Sequence, residues 1–154
     1  MEIKELKSRK TFENEKIQNG YIQFGDLLSL INKKTLQEKS IQVINTEIDT
    51  INNIRVSSNI LRKQVRKSQV KIIRFIEKSE KLVVKNHYRN LWMVLGMTAF
   101  GIPLGTAFGA SQGNMGFIGI GMPIGMVIGI AVGTKKDKEA AKNGFQLQIM
   151  LKHN

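Results

Sequence analysis

Apolar residues recur at helical spacing through the first half of the chain, and an uncharged run then occupies residues 90–134. Between Thr35 and Lys85 there is neither Pro nor Gly. Apolar side chains stand at Ile41, Ile44, Ile48, Ile51 and Ile54, and again at Leu61, Val65, Ile72, Phe75 and Leu82. Steps of three and four keep them on one helix face. The seam is heptad-like, with one extra three-residue step near Ile51 and Ile54. Ser58, Ser68 and Ser79 sit on the seam and weaken it. The pattern predicts a long amphipathic helix over residues 35–89, about 75 Å long if 35–85 is unbroken. Such a helix cannot bury its stripe alone. Either it packs on an apolar partner, including a coiled coil between subunits, or the chain turns near Asn52–Asn53 or Ser57–Ser58.

Residues 1–34 read as a polar leader with a short helix. Residues 1–19 are charged and carry few large apolar groups, which suggests a flexible or weakly helical segment. Gly20 and Gly25 punctuate the next stretch, and Asp26 is placed to cap a helix holding Leu27, Leu28, Leu30 and Ile31.

The uncharged run divides into two apolar stretches, about 91–110 and 115–133. Each is just long enough to cross a hydrocarbon core about 30 Å thick. Ser111, Gln112, Gly113 and Asn114 between them are turn-forming residues. A transmembrane hairpin over 90–134 is therefore expected, followed by a cytoplasmic tail, 135–154, whose end could form a strand or a helical stub. His87, Tyr88 and Trp92 lie where an interfacial belt belongs, and Arg89 can snorkel to headgroups.

Glycine is the most regular signal in the chain. It stands at Gly101, Gly105, Gly109 and Gly113 in the first stretch, and at Gly121, Gly125, Gly129 and Gly133 in the second. Four-residue spacing keeps these positions near one helix face. In lipid, close backbone approach across small residues is a common basis of helix association. A shift of 20 residues superposes the stretches: Gly96 on Gly116, Gly101 on Gly121, Pro103 on Pro123 and Gly105 on Gly125. The repeat predicts equivalent packing faces and equivalent proline-associated bends.

Charge sharpens the picture. The chain has 154 residues, 24 Lys and Arg against 12 Asp and Glu, and a net charge of +12. Residues 54–89 hold eleven basic groups and only Glu77 and Glu80 as acids. This cluster abuts the apolar run, and Lys135, Lys136 and Lys138 come after it. Both ends of the hairpin then face the cytoplasm by the positive-inside rule. Arg74, Lys78, Lys81, Lys85, Arg89, Lys135 and Lys136 become candidate contacts for anionic lipid. Nucleic acid competes for such charge, but interleaved aromatics and a recognition-helix pattern are missing.

From Asn86 to Gly144 the chain resembles the glycine-zipper class of bacterial membrane segments, a membrane-hairpin module of many small bacterial proteins. The resemblance implies packed spans; self-association is expected from the regularly spaced glycines and the unaccompanied apolar stripe. Members of the class occur in channels, envelope proteins and membrane-damaging toxins.

The absence of cysteine excludes disulfides, thiol nucleophiles and thiolate metal sites. The N-terminus has no apolar signal-peptide core. His87 and His153 are far apart, Asp137 and Glu139 read as surface pairs with lysines, and no phosphate-binding or dinucleotide fingerprint is present. No enzyme, cofactor, metal or small-molecule substrate is expected. The expected class is all-α: a long amphipathic helix, then a two-helix transmembrane glycine-zipper hairpin. The expected function is an oligomeric integral protein of the inner (cytoplasmic) membrane, with a scaffold or structural role. Its candidate partners are the lipid bilayer, further copies of the chain and an unidentified protein. The alternative is a pore-forming, membrane-depolarising effector in bacterial competition or defence.

Overall fold

The computed structural model describes residues 2–55 and 59–151, the side chain of Met115 excepted. The suggested turn at Ser57–Ser58, the seam residue Ser58 and His153 lie outside the described residues. The chain forms two compact units, 1–84 with 147–154, and 85–146. The fold is all-α apart from a two-stranded ladder of β1 (Val83–Val84) and β2 (Gln146–Leu147). Of the expected tail, residues 146–147 are therefore strand.

In the first unit, α1 (Glu15–Asn32) is longer than the short helix expected, and it begins before both glycines. The Asn14 side chain, not Asp26, caps it by accepting from Ile17 N–H at 3.1 Å. Ile17, Tyr21, Phe24, Leu27, Leu28 and Ile31 are all buried on one face. Burying these side chains, at about 1.5–3 kcal/mol each, outweighs about 1 kcal/mol for each interior glycine.

The single helix expected over 35–89 is instead two, α2 (Glu38–Asn52) and α3 (Asn59–Glu80). The expected break at Asn52–Asn53 is where α2 ends. Ile44, Ile48 and Ile51 of α2 share a core with Leu61, Val65, Ile72 and Ile76 of α3 and with α1. The stripe that demanded a partner thus finds one within the chain. Phe75, assigned to the seam, is only half-buried, and Ile76 takes the core position.

Residues 2–14 are not helical, and side chains of α2 hold their start in place. Asn45 Oδ1 accepts from Lys4 N–H at 2.8 Å, and its Nδ2 donates to Glu2 O at 2.9 Å. Asn52 repeats the clamp on Lys7 N–H and Glu5 O, at 2.9 and 3.1 Å. The clamps stand seven helical residues apart and grip positions three residues apart. Seven residues of helix rise about 10.5 Å, and three extended residues span about 10 Å, so the repeats match. Arg9 then donates to Ile51 O and Ile54 O at the end of α2 and lies over the Tyr21 ring at 5.5 Å. The segment expected to be a flexible leader is therefore part of the packed unit.

Glu47 of α2 is buried between α2 and α3, accepting from Ser68 Oγ at 2.6 Å and from Lys71 Nζ at 2.5 Å. Burial alone would raise its pKa. The hydrogen bonds from Lys71 and Ser68, with the charges of Lys71 and Lys67, outweigh burial and hold it below the usual carboxylate value. Its stabilisation is therefore present above the ordinary glutamate pKa of about 4.3 and is lost as pH falls through the lower folded value. Because Lys71 is mostly exposed, the pair contributes modestly. Glu47→Gln should destabilise the first unit by about 1 kcal/mol at neutral pH. Hydrogen exchange across residues 44–51 and 65–72 should show this, with the gap to wild type closing below about pH 4.3. A gap that widens on acidification would contradict the assignment.

Candidate membrane-anchoring hairpin

The second unit is an antiparallel pair of helices. The first runs His87–Gln112 as α4 (His87–Gly96), a widened π turn (Met97–Gly101) and α5 (Ile102–Gln112). The second, α6 (Ile118–Lys142), continues well past the uncharged run. Gly113 at φ 66° ends the first helix in the left-handed region, and Asn114 N–H returns to Gly109 O at 2.9 Å.

The helices meet along their glycines. A Cβ added at Gly101 would stand 2.8 Å from Met122 Cα, and one at Gly105 would stand 2.6 Å from Ile118 Cα. On α6, a Cβ at Gly121 would stand 2.6 Å from Gly105 N, and one at Gly125 2.7 Å from Gly101 Cα. At Gly129 it would meet the Trp92 carbonyl, and at Gly133 it would lie 2.5 Å from Tyr88 O. Backbone occupies these places, so no rotamer change relieves the clash. Gly109 is also buried.

Gly113 differs from the packing role expected of it. It is exposed, has nothing within 4 Å of an added Cβ, and serves the turn. Gly96, left out of the four-residue row, belongs to the contact: an added Cβ would lie 2.8 Å from Gly129 Cα. Gly96 and Gly101 are five residues apart, and a regular α-helix would set them about 140° apart in azimuth. The π turn, in which Ile102 N–H bonds Met97 O, takes up the extra residue and restores Gly96 to the face. It also lies just before Pro103, whose ring crowds the carbonyl of Ala99 four residues back. Pro123, its counterpart in the repeat, sits inside the α-helical α6. The expected equivalence of the proline bends therefore does not hold.

The buried row of α6 runs Gly121, Gly125, Gly129, Gly133 and then Asp137. Asp137 is not a surface partner of lysines, as its neighbours suggested. Its carboxylate accepts from Tyr88 N–H at 3.1 Å and Arg89 N–H at 2.9 Å. Asn86, the residue before α4, has φ 63° and makes no side-chain cap. Asp137 thus caps α4 from the opposite helix and sets negative charge at its positive end. The signal was legible, since Asp137 occupies the next four-residue step after Gly133. Glu139 is exposed.

This cap fixes the residues flanking the apolar stretches. Lys136 lies over the Trp92 ring at 5.6 Å. Lys85, Arg89, Lys135 and Lys136 are exposed in this unit, and the cap holds Arg89 beside the α6 turn that carries Lys135 and Lys136. Arg74, Lys78 and Lys81, assigned the same role, belong to the first unit and are exposed there.

Outward from the contact the surface is apolar. Leu91, Val94, Phe100, Leu104 and Phe108 on one helix, and Ile120, Ile124, Val127 and Ile128 on the other, are exposed. Both helices are long and apolar enough to cross a membrane, yet only 17% and 22% of their apolar windows are buried. A core helix of a soluble protein would be mostly buried. Hydroxyl protons are satisfied locally: Thr98 donates to Val94 O at 3.1 Å, and Thr106 to Pro103 O at 2.9 Å. Comparison with protein-family models, curated proteins and solved structures yields no match for this chain.

Gly125→Ala should destabilise the hairpin by about 1–3 kcal/mol through backbone overlap. Gly119→Ala, which meets open space, should leave it unchanged or slightly firmer. Thermal unfolding in mild detergent, read by the fluorescence of Trp92, the chain's single tryptophan, distinguishes the two. Equal loss in both variants would contradict the packing. By the same measurement, Asp137→Ala should cost about 0.5–2 kcal/mol, with Asp137→Asn retaining part of the stability.

Proposed function

We propose that this chain is an integral protein of a bacterial cytoplasmic membrane, in which the glycine-packed hairpin is the anchor and the helical first unit is the part displayed. The observation that carries this reading is the hairpin's exposed apolar surface, on two helices whose backbones are hydrogen-bonded within themselves. Water would penalise that surface, whereas a hydrocarbon layer accepts it. The basic residues at the hairpin's open end, and their absence from the Gly113–Asn114 turn, support cytoplasmic termini. Lys85, Arg89, Lys135 and Lys136 then contact headgroups.

The role favoured is structural: holding the first unit at the membrane as a scaffold, in the manner of a glycine-zipper hairpin. The glycines are consumed within one hairpin. Assembly of several copies therefore engages the outward ridges, such as Val94, Phe108 and Val127, rather than the glycine rows. A pore gains no specific support, because the Thr98 and Thr106 hydroxyls bond their own helix and the glycine faces are closed against each other.

The test uses the absence of native cysteine. A Cys at Gln112 should react with an impermeant maleimide from outside intact cells, and one at Glu139 only after permeabilisation, with the protein resisting carbonate extraction. Release into the soluble fraction would overturn the anchor. A potential-sensitive dye should report an intact membrane potential on induction, and depolarisation lost in Gly125→Leu would instead favour the pore.

A further inference from the structure

Apart from the contact of Lys71 with Glu47, the outer face of α3 is not used in the core of the first unit. Its inner face, with Leu61, Val65, Ile72 and Ile76, is spent on the core of the first unit. The opposite face carries Lys63, Arg66, Lys67, Lys71, Arg74 and Lys78, all exposed. At about 100° per residue these six cations fall within an arc of about 140°. Lys71, at one edge, is paired with Glu47. The other five make no ion pair among the described residues. Glu77, near the C-terminal end, is the one acid on the arc, and Glu80 is turned to Ser40 and Gln37 N–H. Between the cations the half-buried Val70 and Phe75, with the lysine and arginine stems, line a shallow apolar trough. These cations at close quarters repel one another, and beyond the action of Lys71 and Lys67 on Glu47 the packing of the unit makes no use of them.

We propose that this face of α3 is a second membrane-contact surface, which lays the helix along an anionic lipid headgroup layer. The proposal rests on the anchor reading and names a lipid class and a face for the unit that the anchor displays. Three observations favour lipid over another polyanion. The charge is a broad arc with no fixed bidentate pocket, which suits a fluid array of phosphates. Apolar side chains interrupt it at the centre and one edge, as on helices lying in a headgroup boundary. Only six residues, 81–86, separate α3 from the first hairpin helix. A bilayer crossed by the hairpin is thus within about 20 Å of the last turn of α3.

The experiment places an environment-sensitive fluorophore on a Val70→Cys variant of the full chain, reconstituted in vesicles. One set is phosphatidylcholine alone, and the other contains phosphatidylglycerol. The expected result is a blue shift and reduced quenching by an aqueous quencher in the anionic vesicles only. The shift should be reversed at 1 M salt, where the screening length falls to about 3 Å. It should be lost when Lys63, Arg66, Arg74 and Lys78 are all changed to Gln, which leaves Lys71 and Lys67 beside Glu47. It should survive when Lys10, Lys16, Lys33 and Lys39 are changed instead. Identical spectra in both lipids, or equal loss in both variants, would overturn the proposal. So would a response to added duplex DNA without one to anionic lipid. Flotation of the protein with both kinds of vesicle reports the anchor separately, so failure of α3 docking is not confused with failure of insertion.

Discussion

Everything in the second unit depends on two helix backbones lying closer than any side chain would permit. Gly96, Gly101 and Gly105 face Gly121, Gly125 and Gly129, and hypothetical β-carbons at these positions collide with backbone. In an apolar solvent there is no hydrophobic reward for pairing, so dispersion and dipolar contact over a close approach must supply it. One consequence is a register constraint. Glycines five apart would leave the face of a regular helix, and the π turn ahead of Pro103 corrects this. Another is an end constraint: the same row on α6 delivers Asp137 to two of the amides that the start of α4 leaves open.

The first unit solves a different problem with ordinary means. Its α2–α3 stripe is buried by folding back and by α1, and the N-terminal segment is tied to α2 by Asn45 and Asn52. Once the inner face of α3 is used, its charge is necessarily presented outward. Glu47 neutralises part of that charge at the helix contact and leaves the rest exposed. Both reasons for expecting a partner chain, the unaccompanied stripe and the glycine rows, are thereby met inside one molecule. The structure itself offers no further argument for oligomers.

One unit is closed around its core, and the other carries its apolar side chains outward. Within the first hairpin helix the hydroxyls of Thr98, Thr106 and Ser111 are returned to carbonyls of their own helix. The proposed role at a membrane comes from that division, with charge flanking the apolar stretches and spread along α3.

Much of the hairpin was legible from residues 90–134, because the lack of charge, the span length and the glycine interval are local and periodic properties. The all-α class was legible for the same reason, in the three-and-four spacing of Ile44, Ile48, Leu61 and Val65. Where the helices stop was less so. Gly20 and Gly25 read as punctuation, yet burial of Tyr21, Phe24 and Leu28 overrode them, and that burial depends on distant α2 and α3. The break after Asn52 was one of two alternatives, since a periodic stripe does not say whether its partner is its own chain. Asn45 and Asn52 carry no local mark of their roles, because their partners lie more than forty residues away; Asp137 is marked by its place in the four-residue row, but not by which amides it meets. Sequence alone determined which surfaces are apolar, which are charged and which are smooth enough for contact. Only the tertiary structure decided what meets them, because long-range pairing depends on register and closure in space, which spacing along the chain does not contain.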